Sequence, residues 1–65
     1  MSTSDFAELS SLRAQLLDLT ARVVTVAERS EKTPDSAVAV DLFTAERSLL
    51  GAGRALDRAI SHLTP

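Results

Sequence analysis

The chain has no cysteine, no tryptophan and no tyrosine, and its only aromatic residues are Phe6 and Phe43. Without cysteine, neither a disulfide nor a thiolate metal site can stabilise it. It has no run of about 18 apolar residues, which excludes a membrane-spanning helix. The opening MSTSDFAEL lacks the basic stretch and apolar core of a signal peptide. An excess of positive charge is missing too. The net charge is −2 and the isoelectric point about 5.1, which argues against a general polyanion binder. These absences lead us to expect a cytoplasmic protein with no membrane association, no cofactor and no metal.

What is present is apolar content, 45% of 65 residues, too much for a disordered chain. A chain this short makes one domain at most, residues 1–65, near the lower edge of independent stability. Such a chain completes its core with a partner, so oligomerisation is expected.

Proline and glycine are scarce, and their positions divide the sequence. The only interior cluster of breakers is KTPDSA, at 32–37. Pro34 disfavours helical geometry at Thr33 and offers no amide donor, so a first helix ends by about Thr33. Thr33 before Pro34, or Asp35, can cap the helix that follows. Asp5 with Glu8 three residues on forms a variant capping box at the front. The reading is an all-α antiparallel hairpin, with helices at about 5–31 and 36–63, a turn at 32–36, and residues 1–4 frayed.

Apolar residues recur at intervals of three and four in both arms. In the first they are Leu9, Leu12, Leu16, Leu19, Val23 and Val26; in the second, Val38, Leu42, Ala45, Leu49, Ala52, Leu56, Ala59 and Leu63. This is a coiled-coil seam of heptads. Residues 9, 16 and 23 take position a in the first helix, with 12, 19 and 26 at d. In the second, 42, 49, 56 and 63 take a, and 38, 45, 52 and 59 take d. Antiparallel pairing sets Leu9 against Ala59, Leu12 against Leu56, Leu16 against Ala52 and Leu19 against Leu49. It continues with Val23 against Ala45 and Val26 against Leu42, and its midpoint falls on Pro34. Alanine along d of the second helix is expected to let the helix axes approach closely, since interhelical distance follows the contacting side chains.

A hairpin needs only that seam, yet a second set of apolar residues lies beside it at b and e. These are Phe6, Leu17, Val24 and Ala27 in the first helix and Ala39, Phe43, Leu50, Gly53 and Ile60 in the second. The apolar arc is wider than the roughly 100° one partner helix requires. Left exposed, the face would form a patch of the kind that marks an interface. We read it as a dimer or partner interface, with two hairpins making a four-helix bundle about a two-fold axis. Arg13 and Glu46 lie at e beside this face, and an ion pair across the dimer is expected of them.

Candidates for chemistry are few. His62 is the only histidine and has no nucleophile or second ligand in its pattern, so a non-enzymatic protein is expected. Arg47, Gly51, Arg54 and Arg58 form one stripe on the outside of the second helix, at c and f. Three arginines around a glycine can grip phosphate groups through bidentate contacts.

Three functions fit these features. The first is a homodimeric interaction or regulatory module. The second is an RNA- or anion-binding bundle using the arginine stripe, similar in architecture to small RNA-binding hairpin dimers; net charge and the lack of stacking aromatics oppose it. The third is a small protein that sequesters a transcription or toxin protein.

Overall fold

Helix α1 spans Thr3–Glu31 and helix α2 spans Ser36–Leu63. The computed structural model describes residues 3–34 and 36–63. The helices turn back on one another and pack along their length as an antiparallel hairpin. Both long runs lack interior proline, and nearly every position holds a residue that tolerates the helix. Helix α1 starts at Thr3, two residues before the expected boundary, which places Asp5 inside the first turn. A carboxylate there still faces the positive end of the helix dipole.

The turn differs from expectation in one contact. The Thr33 hydroxyl donates to the Ser30 carbonyl at 2.7 Å, and the amides of Lys32 and Thr33 donate back to Arg29 and Ser30. Thr33 therefore closes α1, and α2 begins three residues later at Ser36. The alternative cap, Asp35, lies outside the described residues.

The molecule is a rod of 50 × 14 × 11 Å, with a radius of gyration of 15.1 Å. A compact domain of this length has a radius of gyration near 11 Å. Its accessible surface, 4722 Å², exceeds the roughly 4,000 Å² typical of a folded monomer of this mass.

The interior holds small residues. Thr20, Ala27, Ala39 and Gly53 are the buried ones, and among the described residues no large side chain is fully buried. In heptad terms all four occupy e. The seam therefore runs along a and e, with Leu9, Leu16, Val23, Leu42, Leu49, Leu56 and Leu63 half-buried at a. This corrects the expected a/d seam, because each helix is rolled toward its e edge. Leu12, Leu19, Val26 and Val38, assigned to the interior at d, are exposed, as are Ala52 and Ala59. The physical reason is size. At d only α2 is small, whereas α1 carries two leucines and a valine there. At e both helices have small residues, so their backbones can approach.

The axial register survives the roll. Arg13 reaches both Gly53 and Asp57, so residue 13 lies opposite that turn of α2, where the expected pairing puts residue 55.

Candidate functional site

Rolling the helices onto a and e splits the apolar arc in two. Around a helix, b and d lie about equally far from the centre of an a/e seam, one to each side. The hairpin thus has an apolar flank on each broad side. Most charged residues lie at c, f and g, while Arg13 and Glu46 stand at e and Asp57 at b. Of the pairs that face each other along g, neither Glu8 with His62 nor Arg29 with Asp41 forms an ion pair.

The b flank contains the large residues of the expected interface that lie at b. Leu17 is 63% exposed and Leu50 44%, with Val24 and Phe43 half-buried beside them. Phe6 and Ile60, at e near the open end, are also only partly covered. Ala27 and Gly53 do not belong to this surface. Ala27 is 0% exposed and Gly53 is buried, both packed between the two helices of one chain. They bring the helices together rather than meet a partner.

Toward the open end the b flank becomes polar. Arg13 crosses from α1 to hold Asp57: Nε donates to Oδ1 at 2.8 Å and Nη2 to Oδ2 at 3.2 Å. The two-pronged grip matches the planar fork of a guanidinium to a carboxylate. It pulls the Asp57 carboxyl below its ordinary range and raises Arg13, in each case chiefly through this hydrogen bond. Gly53 makes room for it, since a Cβ there would lie 2.9 Å from Arg13 Nη1. Within one hairpin Arg13 and Glu46 do not meet; the pairing expected of them lies between two chains. Glu46 sits half-buried about two turns away along α2. The sequence reading overlooked Asp57 as the partner, although its b position and the register put it within reach. It overlooked Thr20 as well, whose buried hydroxyl donates to the Leu16 carbonyl at 2.7 Å. A hydroxyl satisfied by its own helix can lie in an apolar seam at little cost.

The d flank is apolar throughout. Leu12, Leu19 and Val26 stand along α1, and Val38, Ala45, Ala52 and Ala59 along α2. No charged residue occupies d between residues 12 and 59. Leu19 alone is 46% exposed.

On the outer face, Arg47 Nη2 donates to the Thr44 hydroxyl at 3.3 Å. Arg54 lies alongside Gly51, where a Cβ would be an ordinary 3.8 Å from its Nη2. Arg58 continues the stripe in an exposed position. The side chains are aligned but not drawn onto a common point. A shallow dent lined by Ser11, Ala14, Gln15, Asp18, Leu19 and Arg22 lies on α1 alone, with Arg22 3.8 Å from Asp18. Among the described residues no three His, Asp or Glu side chains gather as metal ligands, and no helix is long and apolar enough to cross a membrane.

No protein-family model matches this chain, and neither a curated protein nor a solved structure is significantly similar to it.

Proposed function

We propose that the protein is a non-enzymatic interaction module that acts as a homodimer of helical hairpins, two hairpins forming a four-helix bundle. The observation that supports this is the poverty of the interior, where small residues alone are buried while Leu12, Leu17, Leu19, Val26, Val38 and Leu50 are exposed. Burying one large apolar side chain contributes roughly 1.5–3 kcal/mol. A rod that leaves so many outside lacks the stabilisation that would normally offset the conformational entropy of 65 residues. A second hairpin laid on a flank supplies it. Phe6, Leu17, Val24, Phe43, Leu50 and Ile60 serve as a dimer or partner surface in this reading. The composition suits a cytoplasmic setting.

Solution mass tests the reading. Sedimentation equilibrium over a range of concentrations is expected to give twice the chain mass of 6.9 kDa. A single-chain mass throughout would remove self-association and turn the search to a different partner. The RNA- or anion-binding reading ranks lower, because the arginine stripe converges on no pocket and the net charge is −2. Sequestration of another protein becomes a use for whichever flank self-association leaves free.

A further inference from the structure

We propose that the surface joining two copies is the d flank, and that it is self-complementary: the Leu12, Leu19 and Val26 ridge on α1 of one chain fits the Ala45, Ala52 and Ala59 row on α2 of the other. The proposal rests on the homodimer reading and specifies its surface. The b flank is then left for something else.

The spacing supports the fit. Ridge and row both repeat every seven residues, about 10.5 Å along a helix. Arg13 fixes the axial register by lying between Gly53 and Asp57, which brings residue 12 level with residue 56. A two-fold axis running along the rod lays α1 of one copy over α2 of the other without any axial shift. Leu12 then enters between Ala52 and Ala59, Leu19 between Ala45 and Ala52, and Val26 between Val38 and Ala45. Every large side chain meets a gap, and the symmetry makes each contact twice.

The occupant is a second copy because the chain itself carries both halves of the fit. Area agrees with this. The surface beyond that of a compact monomer is close to the roughly 800 Å² per partner that a standard interface covers. The b flank is less suited, since Leu17, Val24, Phe43 and Leu50 are all bulky and the Arg13–Asp57 bridge interrupts it. The exposed alanines of α2 thereby gain a purpose that packing inside one hairpin does not give them.

The experiment is sedimentation equilibrium on the full chain, on Leu19→Glu and on Leu50→Glu, with helicity followed by circular dichroism. The unsubstituted chain and Leu50→Glu are expected at twice the chain mass, and Leu19→Glu at the mass of one chain. Ala52→Leu, which fills the slot without adding charge, is a second variant expected at the mass of one chain, its helicity falling along with the dimer. If Leu19→Glu and Ala52→Leu both keep the dimer mass, the d-flank proposal is overturned and self-association survives on other grounds. If the unsubstituted chain has a single-chain mass at every concentration, self-association itself is overturned. A spin label at Lys32→Cys, the only cysteine in that chain, reads the axis independently. A separation far below the 50 Å length of the rod is expected, with both turns at one end. A separation near 50 Å would put the turns at opposite ends and overturn the proposed axis.

Discussion

Arg13 and Asp57, 44 residues apart in sequence, make the only ion pair between the two helices among the described residues, with Nε and Oδ1 2.8 Å apart. It locks the axial register at the open end of the hairpin, where no turn constrains the chain.

That pair makes stability depend on acid. In the folded chain the Asp57 carboxyl titrates below its ordinary range because Arg13 hydrogen-bonds its charged form. Between the folded and unfolded values the unfolded state binds more protons, so stability rises with pH across that window. The contribution is fully present above the unfolded value, about 3.9, and is lost as pH falls through the folded one. Carboxyl NMR titration should show Asp57 below the ordinary aspartate value, and the acid limb of a stability–pH curve should flatten in Asp57→Asn. An Asp57 that titrates at the ordinary value would disprove the bridge in solution.

The two glycines should respond differently to alanine. Gly51→Ala meets only an ordinary contact, Arg54 Nη2 at 3.8 Å, and should stabilise the hairpin by about 1 kcal/mol, the helix-propensity difference. In a domain this small that is a rise in Tm of roughly 4–8 °C. Gly53→Ala should gain less, since its Cβ displaces the Arg13 guanidinium from Asp57. Adding Arg13→Ala should release the withheld gain. Thermal melts of the two single variants and of the double variant measure this, and equal gains at 51 and 53 would contradict the Arg13 placement.

Overpacking should locate the seam. Ala27→Leu adds bulk where nothing is exposed and should cost about 1–3 kcal/mol in chemical denaturation. Ala52→Leu, exposed in the hairpin, should cost the isolated chain far less. The reverse order would restore the a/d seam.

The arginine stripe should be removable. Arg54→Glu with Arg58→Glu is expected to change stability within about 0.5 kcal/mol, as exposed substitutions do. Any affinity for single-stranded RNA, read by fluorescence anisotropy at fixed salt, should vanish with it. RNA affinity that persists unchanged in the double variant would assign binding elsewhere.

The helices, the turn and the axial register were legible in the sequence, because Pro34 and the three–four spacing constrain the backbone directly. Which edge of each helix turns inward was not. Position a is apolar in both arms, and apolar residues stand on either side of it, so periodicity alone does not choose between d and e. The choice follows the closest approach that both partners permit, and Thr20, Ala27, Ala39 and Gly53 are small on both helices at once. Alanine in α2 drew attention to d, but Leu12 and Leu19 opposite it in α1 keep the backbones apart there. Arg13 and Asp57 were hidden for a related reason: a long side chain reaches across positions that heptad letters treat as separate.

If the protein self-associates as proposed, an interior of small side chains also ties its lifetime to its abundance. Whatever covers the flanks binds the folded form alone, so the fraction of chains that are folded rises with the concentration of that cover. When the cover is another copy, dilution is itself a denaturant. Freshly made chains at low copy number then meet proteases largely unprotected, while a population above the association threshold shelters its own members.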